Sequence, residues 1–310
     1  MMYFVFQKCI AVMLATTPDR ISERKSADMP DSLYIHDAFD PSYNEIAVAP
    51  CSPHVGAEIG RIDLTRPLPD AQLGELRRAF TEYLVIFFRG QEISFEDHVR
   101  LAEYFGPIGA HVGATTISNP TEDPRVRLFH YDETTQKISG DIWHTDQSCA
   151  ETPPLGSILY NHTIPPNGGG DTIFASMYAA YDALTDRMKT YLDGLTALHD
   201  GARIFGAGTP AASHPVIVRH PESGKKLIYV NDAFTAKIND VPPEESEAIL
   251  RFLYTHCARP EWSFRFRWKP HSIAFWDNRC AHHFAVSDYW PAVRSGFRVQ
   301  IDGMDRPVAG

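Results

Sequence analysis

Between Trp262 and Trp268 the chain reads Trp-Ser-Phe-Arg-Phe-Arg-Trp, with aromatic and polar residues in strict alternation. A period of two sends the rings to one side of a strand and Ser263, Arg265 and Arg267 to the other, which predicts a half-buried antiparallel strand. Further strand-like runs, broken by Pro and Gly, fall at 46–49, 55–62, 84–88, 157–160, 171–174, 273–276 and 295–301. The run Leu84-Val-Ile-Phe-Phe88 is apolar throughout and predicts a strand covered on both faces. Helical spacing is confined to a few segments. These are 71–83, a helix capped by Ser94 with Asp97 three residues on and stopped before Gly106-Pro107, helices starting near Ser176 and Thr185, and 243–254. Many short strands with a few peripheral helices predict a mainly β fold with flanking helices, closed or double-sheeted as in a jelly roll, and not a parallel α/β sheet. No Gly-x-Gly-x-x-Gly, P-loop or internal repeat is present.

A length of 310 residues with 44% hydrophobic content supports one sizeable core. The expected organisation is a single domain over 45–310, preceded by a flexible tail over 1–44. The first fifteen residues are apolar, but Gln7 and Lys8 interrupt the run and no basic segment precedes it, so a secretory signal is not expected. A net charge of −10 argues against nucleic acid or an anionic membrane as partner and for a small-molecule ligand. Five scattered cysteines without a Cys-x-x-Cys pair indicate neither a disulfide framework nor a zinc ribbon, and suit a reducing, cytoplasmic compartment.

The chemistry-bearing pattern is His-x-acid. With 14 His and 39 acidic residues, chance alone yields about two such pairs, and the chain has three: His130/Asp132, His144/Asp146 and His220/Glu222. Proline makes the third a turn rather than a strand. On a strand, residues two apart share a face, so either remaining pair could close on one metal ion. A second imidazole would complete two nitrogens and one carboxylate, leaving three octahedral positions open for reaction. Spacing alone leaves His130/Asp132 and His144/Asp146 both open.

Longer segments narrow the choice. Val55-Gly-Ala-Glu-Ile, Asp63-Leu-Thr-Arg-Pro-Leu, Trp143-His-Thr-Asp, Gly169-Gly-Asp-Thr172, His220-Pro-Glu-Ser-Gly-Lys, Tyr229-Val-Asn-Asp-Ala-Phe234 and Trp276-Asp-Asn-Arg-Cys-Ala-His-His-Phe-Ala-Val-Ser-Asp-Tyr289 together resemble the taurine dioxygenase family of Fe(II)- and 2-oxoglutarate-dependent dioxygenases, over roughly residues 45 to 310. The resemblance implies a double-stranded β-helix core and, from the spacing His-x-Asp, His, ten residues, Arg, selects His144, Asp146 and His283 as metal ligands, with His282 either turned away or packed just outside the ligands. It implies Fe(II), O2 and 2-oxoglutarate as cofactors. Arg294, with Thr172, would hold the distal carboxylate of 2-oxoglutarate, and succinate and CO2 would be released. No protein side chain is then needed as acid or base, because metal and cosubstrate carry the chemistry. A homodimer or homotetramer is implied as well.

For the substrate, the resemblance points to His111, Phe234 and Arg298. Arg298 has two readings: it meets an anionic substrate (sulfonate, sulfate ester, carboxylate or aryloxy acid), or it pairs within the site or with the cosubstrate. Gly140 and Ala114 stand where the taurine enzyme has asparagine and tyrosine, and the segment running to Phe205 leads into a shorter lid. A larger or less polar anion than taurine is expected, lined by Phe205 and Phe234, and hydroxylated or oxidatively cleaved. Asp146 argues against halogenation, which needs a small residue in its place. A non-catalytic metal-binding jelly roll is the alternative, but it would not need Arg294 and Thr172 together.

Overall fold

The computed structural model describes residues 39–109, 125–135 and 139–310. The chain divides into two units, 1–35 and 36–310, and the described residues all belong to the second. His111, Ala114 and most of the expected tail lie outside the described residues.

Ten strands build the part of the fold that carries the site: β1 (Ala47–Pro50), β2 (Ala57–Gly60), β3 (Val85–Phe88), β4 (Val126–Tyr131), β5 (Gly156–Thr163), β6 (Thr172–Ser176), β7 (Ser263–Phe266), β8 (Ser272–Asp277), β9 (Ala281–Ala285) and β10 (Arg294–Ile301). Seven form one sheet in the order β1-β2-β3-β8-β5-β10-β4, antiparallel except for the β2–β3 pair. A second sheet, β7-β6-β9, packs against it. Phe174 and Phe266 of the small sheet meet Phe87 at ring-centroid distances of 5.6 and 4.0 Å, and Phe174 lies 5.7 Å from Trp276. This is the jelly-roll core, with two further three-stranded sheets beside it.

Helices α1 (Asp70–Tyr83) and α2 (Phe95–Glu103) cover the other face of the large sheet. Leu76, Ala79, Phe80, Leu101 and Ala102 pack there against Ile86, Phe88, Ile158, Ile273, Phe275, Val299 and Ile301. Val85, Phe87, Ala274 and Trp276 point the opposite way, into the space between the sheets. Both faces of β3 and β8 are therefore buried, which is why residues 84–88 show no alternation. The same parity governs β10. With Val299 and Ile301 under the helices, Arg294, Gly296, Arg298 and Gln300 face the interior.

Local signals are followed closely. Ser94 accepts from the Asp97 amide and Asp97 returns the bond, the full capping box, and Ser176 and Thr185 cap their helices. The predicted strand at 262–268 is shorter than its pattern, because Pro260–Trp262 forms a 3₁₀ turn and only Ser263–Phe266 pairs. The predicted helix over 243–254 runs on to Cys257. Among the described residues no helix is long and apolar enough to cross a membrane.

Candidate active site

His144 does not lie in a continuous strand, as the spacing had suggested. It makes a single antiparallel bridge to His283 of β9, with amide-to-carbonyl distances of 3.0 and 2.7 Å, and Asp146 opens a turn two residues later. The bridge brings the two imidazoles to 4.0 Å between ring centroids. His144 Nε2 is 3.7 Å and His283 Nε2 3.8 Å from Asp146 Oδ1. Two donors each about 2.1 Å from one ion are at most about 4.2 Å apart, so both separations fit a shared metal.

The surroundings prepare these atoms as ligands. His144 Nδ1 faces the Ile142 carbonyl at 2.7 Å, which can only accept; the proton is on Nδ1 and the Nε2 lone pair is free. Burial holds both imidazoles below their ordinary pKa, in the neutral form a metal requires. Burial raises the Asp146 pKa, but Arg298, His283 and His144 outweigh it and hold the carboxyl well below the usual range. Its outer oxygen, Oδ2, accepts from Ser157 Oγ at 2.8 Å, from Trp276 Nε1 at 3.1 Å and from Arg298 Nη2. That leaves Oδ1 as the oxygen turned to the histidines. Asn278 anchors the turn, its carbonyl oxygen accepting from Thr145 Oγ1 at 2.6 Å and its Nδ2 donating to Ser157 Oγ at 3.1 Å.

Arg294 faces the same interior from the start of β10. Arg294 is 4% exposed and surrounded by rings, Phe129, Trp268 and Tyr289 at 5.5, 5.6 and 6.0 Å. Its Nε and Nη2 are buried without a hydrogen-bond partner. A guanidinium stays charged in such a place, and its unmatched fork fits a carboxylate. Thr172 Oγ1 accepts from Trp268 Nε1 at 3.0 Å, which leaves its own proton to donate. Gly170, at φ +80°, admits the arginine: a Cβ there would sit 3.1 Å from both Arg294 Cδ and Tyr289 Cδ1.

Arg298 is paired with Asp146 and donates to Ser157 Oγ at 3.0 Å. Phe234 is buried and Phe205 lies 5.6 Å from it, in a cluster with Cys149, Ala233 and Ile142. Gly140, at φ +90°, lies against His144: a Cβ there would be 3.4 Å from the ring. His130 is exposed and its ring lies 3.4 Å from Asp132, on the outer strand β4. His282 is buried on the side opposite the triad, near His199.

A second group of metal-capable side chains, His220, Asp277 and Cys280, was not visible in the sequence. It is a structural lock. His220 Nδ1 accepts from the amides of Ser223 and Glu222 at 3.1 and 3.3 Å, so Nε2 carries the proton and donates to Asp277 Oδ2 at 3.1 Å. Arg279 neutralises Asp277 through Nε at 2.9 Å and Nη2 at 2.6 Å. No imidazole lone pair is left for an ion, and burial drives the Cys280 thiol well above its ordinary pKa. Ser157, Trp276 and Asn278 were also missed as site residues, although the Trp276-Asp-Asn run was a visible signal for two of them.

Two imidazoles and a carboxylate converging inside a jelly roll, with an unmatched buried arginine behind them, define the class of facial-triad, keto-acid-dependent oxygenases. The chain belongs to the taurine catabolism dioxygenase TauD, TfdA family, matched over residues 47–300. It is 31% identical over 85% of its length to an alpha-ketoglutarate-dependent sulfonate dioxygenase of Saccharomyces cerevisiae, covering 68% of that protein. It is 30% identical over 85% of its length to an alpha-ketoglutarate-dependent sulfate ester dioxygenase of Pseudomonas putida, covering 91% of it. A taurine dioxygenase structure from Burkholderia xenovorans superposes with a TM-score of 0.76 at 36% identity, covering 86% of this chain and 93% of that one.

Proposed function

We propose that residues 45–310 form one Fe(II)- and 2-oxoglutarate-dependent dioxygenase domain acting on a small organic anion. The observation that carries this reading is Arg294. Two buried N–H groups without a protein partner, behind a metal-competent triad, call for an anionic ligand that belongs to the working state. In this reading His144, Asp146 and His283 hold Fe(II), and Arg294 with Thr172 grips the distal carboxylate of 2-oxoglutarate. Bound iron and keto acid supply the O2-dependent oxidation, which hydroxylates or cleaves the substrate and yields succinate and CO2.

The chain's own groups do the positioning. Trp276, Ser157 and Arg298 fix the rotation of the Asp146 carboxylate, and the Ile142 carbonyl fixes the His144 tautomer. Arg298, whose Nε is buried without a partner, offers that donor to a substrate anion. Phe205 and Phe234 offer an apolar wall, suited to a substrate bulkier than taurine. The named activities of the yeast and Pseudomonas relatives, on a sulfonate and on a sulfate ester, support an anionic substrate. The test is succinate release from 2-oxoglutarate with Fe(II), ascorbate and a panel of sulfonates, sulfate esters and aryloxy acids. Substrate-dependent succinate is expected; none with any member, together with no binding of 2-oxoglutarate, would refute the reading.

A further inference from the structure

Tyr289 lies in the link between β9 and β10 and is 1% exposed, although links between strands usually run over the surface. Its neighbours explain the burial. Asp288 accepts through Oδ1 from the Gly170 amide at 2.8 Å and through Oδ2 from Arg265 Nη2 at 3.2 Å. Arg265, on β7, also donates from Nε to Asp171 Oδ2 at 2.6 Å, and the Val286 amide donates to the Asp171 carbonyl at 2.9 Å. The link is thereby fastened to residues 169–172, which lead into β6, and Tyr289 is carried against Arg294. Gly170 marks the meeting point, since a Cβ there would stand 3.1 Å from both Tyr289 Cδ1 and Arg294 Cδ. Gly169 is as tight: its Cβ would be 3.0 Å from Tyr289 Cβ.

The ring ends in a group that the polypeptide does not use. The Tyr289 hydroxyl is buried and has no hydrogen-bond partner among the described residues. It stands close enough to Arg294 for each to shift the other's pKa, and burial holds the phenol above its ordinary value, so it keeps its proton at neutral pH. A guanidinium has no lone pair to offer, so the phenol proton finds no acceptor there. A buried hydroxyl left unmatched costs stability, and phenylalanine would fill the same space without that cost. Other donors stand with it. Arg294 Nε and Nη2 are unmatched, and Thr172 keeps its own proton while accepting from the Trp268 ring that also flanks Arg294. These are four donors, and one carboxylate has about four lone-pair sites.

We infer that Tyr289 is a cosubstrate-binding residue whose hydroxyl donates to the distal carboxylate of 2-oxoglutarate, beside Arg294 and Thr172. This rests on the reading of Arg294 as the arginine that grips the cosubstrate. The phenol adds selection to affinity. A keto acid of the same length that ends in a methyl group would leave the hydroxyl and the guanidinium fork unmatched, and a buried donor set rejects such a ligand.

The test is calorimetric titration of the full chain, loaded with Mn(II), with 2-oxoglutarate and with 2-oxopentanoate, which has the same carbon chain but no distal carboxylate. Tyr289→Phe keeps the ring and removes one bond to a charged group, so 2-oxoglutarate is expected to bind about tenfold more weakly. 2-Oxopentanoate, which lacks the group that Tyr289 meets, should change by less than about threefold. Without metal and cosubstrate, the urea midpoint of the variant should equal or exceed that of the wild type. Unchanged 2-oxoglutarate binding in Tyr289→Phe would overturn the inference and leave the Arg294 reading standing. A variant that does not fold, or whose urea midpoint falls while its affinity holds, would make the hydroxyl a structural group, with the same consequence. Equal losses for the two keto acids would place the effect at the metal and overturn the inference too. A wild-type chain that does not bind 2-oxoglutarate would overturn the Arg294 reading and this inference with it.

Discussion

Arg294→Met separates a ligand-binding arginine from a structural one. Methionine keeps most of the apolar stem among Phe129, Trp268 and Tyr289 but removes the buried charge. In the protein without cosubstrate, the two unmatched N–H groups are a cost of about 1 kcal/mol or more each. Their removal should leave stability unchanged or raise it by about 1–2 kcal/mol, measured as the urea midpoint. Cosubstrate binding should move the other way. Loss of two charge-assisted bonds at about 1.5 kcal/mol each amounts to about 3 kcal/mol, or roughly a hundredfold weaker affinity for 2-oxoglutarate. Calorimetry on the Mn(II)-loaded protein reads this directly. A variant that loses more than about 3 kcal/mol of stability while binding 2-oxoglutarate as before would show that Arg294 is a core residue, and the reasoning would fail.

Gly170→Ala places a side chain against Arg294 and Tyr289 at a positive φ, so it should cost about 1–2 kcal/mol in chemical denaturation and also weaken 2-oxoglutarate binding; a silent substitution would mean that the pocket is looser than these contacts imply. Asp277→Asn breaks the buried lock with His220 and Arg279 and should destabilise by about 3–5 kcal/mol by urea titration, while a loss below about 1 kcal/mol would show that the lock contributes little. His98 is buried, and burial pushes its imidazole down to about 4 from an ordinary 6.5. As pH falls the unfolded chain takes up this proton first, so the contribution is intact above about pH 6.5 and lost on the way down to about 4, close to about 3 kcal/mol in all. The wild type should therefore lose stability relative to His98→Gln across that window, and parallel stability curves would contradict the assignment.

Local features were legible in the sequence because their causes are local. The Ser94/Asp97 box, the Ser176 and Thr185 caps and the apolar run at 84–88 each follow from neighbouring residues alone. The triad was legible as a pattern but not as geometry. His144 and Asp146 share a target through one bridge to His283 and a turn tied down by Asn278, and these contacts span more than a hundred residues. Arg298 on Asp146 depends on the meeting of segments far apart in the chain, which no spacing encodes. The His220–Asp277–Arg279 lock stayed hidden for the same reason. Its histidine sat in a segment that read as a turn and pointed to Glu222, with nothing local to pair it with Asp277.

The central proposal is that His144, Asp146 and His283 hold one metal ion and that, of the two metal-capable groups among the described residues, His220, Asp277 and Cys280 hold none. Titration of the metal-free full chain with Mn(II), followed by calorimetry, counts the sites and locates them. One ion per chain is predicted, abolished by Asp146→Ala and unaffected by Cys280→Ala. A second ion of similar affinity, or one that survives Asp146→Ala, would contradict the account.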